Sequence, residues 1–248
     1  MHNKILYPAA GMLIMAIEAV QEMVSNDRDV AGYHVKTAKF LGLIPVQNAW
    51  EDRVETEVHL RPVGKKHTAE TRLFEVTIYS YAEDEWTQRL RATIHVDYKN
   101  SPEAEYRQLS HDYVREQFRL AQSLSRPIDS HVFYGNAAEN SLQYGDSFRL
   151  GQDIRFDGNA TAVMHVDATK PRYRTSSLVH PAILDQVFHI LRVSAGQQPT
   201  CNVPIRIADS WFAASGWQMG SIRWMSHSCC SRLDRPHGDH GKRAPCMP

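Results

Sequence analysis

The segment that most limits how this chain can fold is residues 9–24, which are apolar on nearly every face. Their sequence, AAGMLIMAIEAVQEMV, has polar side chains only at Glu18, Gln21 and Glu22. In a helix these side chains form a narrow stripe, so protein has to cover the remaining surface. The apolar run is too short to span a membrane, which takes about 20 apolar residues. We therefore expect a helix that is buried by the rest of the chain.

Segments of alternating polar and apolar residues follow this helix and predict β-strands. They span residues 32–40, 54–62, 73–81 and 86–98, with polar turns at 64–66 and 83–85. Alternation with a period of two gives a strand one buried and one solvated face, as in an antiparallel sheet. The order of one apolar helix and four strands predicts a sheet wrapped around a helix.

The second half of the chain repeats this order after a polar connector. The predicted elements are a helix at 103–123, strands at 148–156 and 160–166, a helix at 181–193 and a strand at 203–212. Asp157-Gly158-Asn159 is a strong hairpin turn, and Pro181 suits the first turn of a helix. We therefore divide the chain into an N-terminal half (1–100), a connector (101–124), a C-terminal half (125–217) and a tail (218–248).

The tail has neither helical nor strand periodicity, and we expect it to be disordered. An altered reading frame or an unspliced intron would produce such a change. Its histidines and cysteines suggest a metal site as an alternative; they are His227, Cys229, Cys230, His237, His240 and Cys246. Adjacent cysteines lack the usual Cys-x₂₋₄-Cys spacing, so we expect no metal and no other cofactor.

The charge balance and the cysteines limit partners and location. Lysine plus arginine equal aspartate plus glutamate at 28 each, so no net field attracts nucleic acid or an anionic membrane. Three of the four cysteines lie in the last 20 residues, which does not resemble a disulfide framework and predicts a reducing compartment. A signal peptide is the alternative at the start, but no clear cleavage site follows the apolar run. We expect a cytoplasmic protein without nucleic-acid or membrane partners.

The helix at 181–193 carries the strongest candidate site. Asp185, His189 and Arg192 follow the spacing i, i+4, i+7 and share one face. One interpretation is a solvated face with a weak Asp–His pair. The other places Asp185 in the first helical turn, where the helix dipole favours a carboxylate, with His189 holding its orientation. As a general acid, Asp185 would also have to be buried.

A loop with the sequence Tyr144-Gly145-Asp146-Ser147-Phe148 is the second candidate. As a turn, it would need Gly145 in a conformation closed to other residues, with Phe148 returning to the core. As a binding loop, it would let a backbone N–H approach a carbonyl oxygen at the glycine.

Together, four segments in this order resemble the dehydratase domain of polyketide synthases, closest to the fungal highly reducing, iterative type. They are ILYPAAGMLIMAIEAV, the Tyr-Gly-x-x-Phe loop, HPAILDQVFH and NVPIRIADSWF, and the resemblance covers residues 3 to about 217. It implies an α+β double hotdog, two long helices each wrapped by an antiparallel sheet, incomplete at both termini. It also implies loss of water from a 3-hydroxyacyl chain on an acyl carrier protein, giving a trans-2-enoyl thioester. The other domains of a full-length synthase would be its partners.

The resemblance assigns roles residue by residue. Asp185 matches the aspartate that protonates the leaving hydroxyl, and His189 matches the residue that supports it. Tyr144 and Gly145, in the loop that ends at Phe148, match the contacts to the aspartate and to the thioester carbonyl. Pro8 closes the family's His-x-x-x-Gly-x-x-x-x-Pro motif and lies at the substrate.

The chain departs from the family pattern at that motif. Asn3 stands in the glycine position, and the histidine that removes the α-proton would precede Met1. His2 is three residues from the required place, and an odd shift turns a strand side chain to the opposite face.

The loop departs as well, with Ser141, Leu142 and Asp146 where the family often has glycine, tyrosine and proline. We therefore expect a dehydratase by descent that is inactive as this chain. The alternative is a non-catalytic hotdog remnant that binds acyl chains or partner subunits, or a pseudogene product.

Overall fold

The computed structural model describes residues 5–24, 29–46, 53–64, 72–99, 116, 119, 123, 126–158, 161–168, 178–194, 203–214 and 221–227. The strands in this part are β1 (Ile5–Tyr7), β2 (Val30–Phe40), β3 (Ile44–Val46), β4 (Glu55–Pro62), β5 (Leu73–Ala82), β6 (Glu85–Tyr98), β7 (Arg126–Ile128), β8 (Gly151–Phe156), β9 (Thr161–Asp167), β10 (Arg206–Ala213) and β11 (Ser221–His227). The helices are α1 (Ala9–Met23), α2 (Ser130–Glu139) and α3 (Pro181–Ser194). Most of the predicted helix at 103–123 lies outside the described residues.

Helix α1 is the apolar helix predicted from the sequence, and protein surrounds it. Leu13, Ile17 and Val20 are fully buried. It packs on an antiparallel sheet with the strand order β10-β2-β6-β5-β4. The alternation predicted for β5 and β6 is confirmed, because every second residue is buried from Phe74 to Ser80 in β5 and from Leu90 to Val96 in β6. Each buried aliphatic side chain of this kind stabilises the fold by about 1.5–3 kcal/mol relative to exposure.

Strand β4 differs from the prediction of one buried face. It lies at the edge of the sheet and pairs only with β5 among the described strands. Val58 is 37% exposed, and Leu60 and Pro62 are half-buried. Alternation therefore marked the strand correctly, but an edge position leaves its apolar side chains largely uncovered.

The second sheet has the order β11-β9-β8-β7, and α3 packs on it and against α1. β8 begins at Gly151, because Asp146–Phe148 forms a 3₁₀ turn where the sequence predicted a strand from 148. Helix α2 was not predicted. Its first backbone N–H groups, those of His131 and Val132, donate to the side chain of Asp129 at 2.7 and 3.2 Å.

Two strands also change the predicted division of the chain. β11 lies inside the segment expected to have no structure, and it pairs with β9 from Ser221↔Asp167 to His227↔Thr161. That expectation is wrong for residues 221–227, because backbone pairing with a neighbouring strand does not need an alternating sequence; residues 228–248 lie outside the described part. β10 follows α3 but pairs with β2, in the sheet of the N-terminal half.

The two halves are therefore joined through a shared sheet. They are also linked by Glu18 of α1, whose Oε1 accepts a hydrogen bond from the backbone N–H of Leu178 at 3.2 Å. Within the described part of the chain, each helix is too short or too polar to cross a membrane.

Candidate active site

A cavity of about 830 Å³ lies between the two halves. The N-terminal half contributes β1, the start of α1 and the end of β2 with the loop after it. The C-terminal half contributes the loop 142–148, one face of α3 and residues 203–205. Most of the lining side chains are apolar, and Asp185 and Arg192 are the acidic and basic residues among them.

Helix α3 directs Asp185, Phe188 and Arg192 to this cavity from one face. Asp185 and Arg192 are each 9% exposed and His189 is 0% exposed, so the interpretation of this face as solvated is wrong. Helix α3 contacts β8, β9 and β11 of its sheet, α1 and the 3₁₀ turn of the loop, and Phe133 and Tyr134 of α2 lie beside the His189 ring. The helix starts at Pro181, so Asp185 lies beyond the first turn, and the predicted dipole effect on its carboxylate is correspondingly weak.

Asp185 and His189 are in direct contact. His189 Nε2 lies 3.1 Å from Asp185 Oδ2, one helical turn apart. His189 does not line the cavity but lies behind Asp185, packed under the ring of Tyr144 with ring centroids 4.1 Å apart. The His189 imidazole therefore holds one carboxyl oxygen of Asp185, and Asp185 itself borders the cavity.

The loop predicted from Tyr-Gly-x-x-Phe forms part of the cavity wall. Tyr144, Gly145 and Phe148 all line it, as does Pro8 at the start of α1. Gly145 has φ −69°, which any residue adopts, and a Cβ there would meet nothing within 4 Å. The expectation that Gly145 needs a glycine-only conformation is therefore wrong. Ser141, which precedes this loop, has a left-handed backbone with φ 65°.

Tyr134 and Gln186 are not among the site residues predicted from the sequence. The Tyr134 hydroxyl accepts a hydrogen bond from the Gly151 N–H at 3.0 Å, and it lies 3.2 Å from Gln186 Oε1 and 3.5 Å from His189 Nδ1. Burial raises the pKa of Tyr134 to about 12, with a further contribution from the charge of Asp185. The signal that could have predicted α2 is Asp129, an N-cap residue type that precedes the apolar pair Val132 and Phe133.

The described cavity lining contains an acid and no histidine. His2, weighed above as a base, lies outside the described residues. In the described part of the chain, no group of three or more His, Cys, Asp or Glu residues has the geometry to hold a metal. The arrangement brings a carboxyl group, held by a neighbouring imidazole, to the wall of a mostly apolar cavity.

The chain is similar over most of its length to fungal synthases. It is 43% identical over 241 residues to highly reducing polyketide synthase 2 of Gibberella zeae, a match that covers 97% of this chain and 9% of that protein. It is 30% identical over 230 residues to highly reducing polyketide synthase NEC1 of Pyricularia oryzae, covering 86% of this chain and 8% of that protein. The chain thus spans about a tenth of the length of the curated relatives it matches.

Solved dehydratase structures share the fold. The dehydratase domain from the CurK module of the curacin polyketide synthase is 18% identical with a TM-score of 0.65, covering 91% of this chain and 73% of that chain. The dehydratase domain of PpsC from Mycobacterium tuberculosis, in complex with C12:1-CoA, is 16% identical with a TM-score of 0.59, covering 84% and 68%. These likenesses confirm the predicted double hotdog.

Fold and site together define a double-hotdog domain with a buried carboxylic acid in the cavity between its halves. The family model described as the polyketide synthase dehydratase N-terminal domain matches residues 116–228. The chain belongs to this family of polyketide synthase dehydratase domains, whose general reaction is dehydration.

The similarity also extends beyond Trp217, the end predicted from the sequence. The family model continues to residue 228. The Gibberella zeae match leaves only 3% of the chain uncovered and so includes most of residues 218–248. The expectation of an unrelated tail is therefore wrong.

Proposed function

We propose that this chain carries the acid side of a 3-hydroxyacyl-thioester dehydratase site, with Asp185 as the proton donor. The observation that supports this best is the placement of Asp185. Its carboxyl group is buried, borders a mostly apolar cavity and is held through Oδ2 by His189. A general acid has to lie within hydrogen-bond reach of its target in a geometry that is set before the reaction.

The reaction removes a proton from Cα and the hydroxyl group from Cβ of the substrate. A base takes the Cα proton, and the electrons of that C–H bond form the new double bond. The Cβ–O bond breaks as Asp185 gives its proton to the departing oxygen, which leaves as water. The products are a trans-2-enoyl thioester and an ionised Asp185, which takes up a proton before the next turnover.

The surrounding residues suit an acyl thioester. Phe148 and Phe188 offer apolar surface for the chain, and Pro8 closes the opposite wall. Tyr144 and Gly145, on the loop, line the same cavity as Asp185, and the family pattern gives these two residues the contacts to the aspartate and the thioester carbonyl. The related PpsC domain has been solved with C12:1-CoA, which is an acyl thioester. We infer that the substrate is a 3-hydroxyacyl chain tethered to an acyl carrier protein, supplied by the other domains of a polyketide synthase.

The base for this chemistry is not among the described cavity residues. The family motif that ends at Pro8 puts its histidine ahead of Met1, and the described cavity lining offers no other imidazole. We infer that the 248-residue polypeptide, assayed by itself, shows no dehydration. Loss of one member of an acid–base pair costs roughly 10²–10⁴ in rate.

The same observation favours a second candidate function, which is binding without turnover. A cavity of about 830 Å³ that contains an acid and no described histidine suits a module that holds an acyl chain. In that case Asp185 would donate a hydrogen bond to the substrate hydroxyl without transferring its proton.

The test compares the 248-residue polypeptide with a chimera that adds the residues preceding the matched region in the Gibberella zeae relative. Both are incubated with a 3-hydroxyacyl pantetheine thioester, and the enoyl product is measured by mass spectrometry. We expect product from the chimera alone. Asp185→Asn in the chimera should abolish it, because an amide is far too weak an acid to protonate the leaving hydroxyl, while Asp84→Asn in an exposed turn should leave the rate unchanged.

Two results would contradict the proposal. Turnover by the unextended polypeptide at the chimera's rate would mean that a residue within the 248 supplies the base. An unchanged rate for the Asp185→Asn chimera would remove Asp185 from the reaction. If both proteins bind the thioester in calorimetry and neither forms product, binding without turnover is the function.

A further inference from the structure

The hydroxyl group of Tyr134 lies at the centre of a buried network behind the acid. It accepts a hydrogen bond from the Gly151 N–H at 3.0 Å, which fixes its position. Its single proton can go to Gln186 Oε1 at 3.2 Å or to His189 Nδ1 at 3.5 Å. Gln186 has its amide orientation set independently, because its Nε2 donates to Phe148 O at 2.8 Å and to Ala182 O at 2.9 Å.

Proton counting links this choice to the protonation of Asp185. His189 is fully buried, so a neutral ring with both nitrogens hydrogen-bonded is the least costly state. When Asp185 is protonated and no substrate hydroxyl accepts its proton, its O–H can donate to a bare Nε2, and the ring proton on Nδ1 then donates to the Tyr134 oxygen. When Asp185 is ionised, the ring proton has to be on Nε2, and Nδ1 then accepts from the Tyr134 hydroxyl.

We propose that Tyr134 is a positioning residue whose hydroxyl turns between Gln186 Oε1 and His189 Nδ1 according to the protonation of Asp185. With the acid protonated it donates to Gln186, and with the acid ionised it donates to His189. His189 changes tautomer but stays neutral, so the buried ring has partners in both states. The consequence for catalysis rests on the proposed role of Asp185, whereas the coupling itself does not require turnover.

Other ionisable side chains lie close to this network. Tyr144 covers the ring of His189 from the loop, and Arg192 lies two turns beyond Asp185 on α3. Arg149 lies near enough to lower the pKa of Tyr134 slightly, but burial is the largest influence and raises it to about 12. Tyr134 therefore keeps its proton throughout the range in which a carboxyl group titrates.

The experiment follows the nitrogen resonances of His189 by NMR in protein with ¹⁵N-labelled histidine, as a function of pH. Comparison with the His189→Gln variant identifies its signals among those of the other histidines. In the native chain we expect an Nδ1–H ring at low pH and an Nε2–H ring at high pH. The native titration can overturn the inference without any further variant: one tautomer throughout, or an imidazolium at low pH, would contradict it.

Gln186→Met then tests the part played by Tyr134. Removal of Oε1 leaves the Tyr134 hydroxyl without its acceptor only when the acid is protonated, so that state is destabilised. The midpoint of the tautomer change should move to lower pH by about half a unit to one unit, the effect of one neutral hydrogen bond.

In the Tyr134→Phe background the same substitution should leave the midpoint unchanged, because the hydroxyl that used Oε1 is gone. Tyr33→Phe is the matched control, since it removes another buried hydroxyl, on β2, and should leave the effect of Gln186→Met intact. A midpoint shift of the same size with and without the Tyr134 hydroxyl would assign the effect to Gln186 alone and refute the coupling.

Discussion

Gly11 lies in the first turn of α1, where its missing side chain makes room for the ring of Tyr7. A Cβ built at this position would meet Tyr7 Cε1 at 2.6 Å, Cζ at 2.7 Å and Oη at 2.8 Å. Alanine is favoured over glycine inside a helix by about 0.8–1.0 kcal/mol, but overpacking a buried site costs about 1–3 kcal/mol. We expect Gly11→Ala to be neutral or destabilising, with a net loss of up to about 2 kcal/mol.

Gly135 in α2 provides the matched control for the same substitution. It is exposed, and a Cβ there would meet nothing within 4 Å. Gly135→Ala should therefore gain about 0.5–1 kcal/mol from helix propensity alone. Urea unfolding of both variants measures the difference, which we expect to be about 1–3 kcal/mol. Equal stabilisation by the two alanines would show that Tyr7 yields without cost, and the packing argument would fail.

Three further predictions concern stability and are measured by the same unfolding method. Asp129→Ala should cost about 1 kcal/mol by removing the cap of α2, whereas Ser130→Ala should cost less. Trp211→Phe should cost about 1–3 kcal/mol, because the Trp211 indole N–H donates to Oδ2 of the buried Asp97 at 3.0 Å; Trp86→Phe, at a residue 39% exposed, is the control. Burial raises the pKa of both Tyr33 and Tyr134 to about 12, so their contribution is complete below the unfolded value of 10.0 and is lost as the pH rises through about 12. Tyr134→Phe should make the loss of stability above pH 10 less steep, and an unchanged slope would contradict its burial.

Much of the fold could be predicted because its strongest patterns are produced by burial. The apolar run at 9–24 and the alternation at 73–81 and 86–98 match α1, β5 and β6 to within one or two residues at each end. Prediction from these patterns fails for an element whose sequence does not show them. Helix α2 contains Gly135 and Asn136, which have low helix propensity, and it forms around a few buried residues such as Phe133.

The candidate site divides in the same way. Local spacing and the family pattern identified Asp185, His189 and the Tyr144 loop, since each depends on residues that are close in sequence. Tyr134 meets Gln186 and His189 across 52 and 55 residues, and its position depends on α2 packing near α3. No local sequence pattern predicts these contacts, because they join residues that are brought together only by the tertiary fold.

The residues that follow α3 explain why the cavity around Asp185 needs both halves of the chain. Residues 203–205 line the cavity, and the Phe40 N–H donates to Ile205 O at 3.0 Å at the entrance to β10. Gly32 on β2 lets β10 approach closely, since a Cβ there would lie 2.5 Å from Phe212 O and 2.5 Å from the Trp211 ring. The wall opposite Asp185 therefore forms only when β10 joins the sheet that covers α1. A C-terminal half expressed alone would keep Asp185 and His189 but lose this wall, so the chemistry of Asp185 has to be tested in a chain that contains both halves.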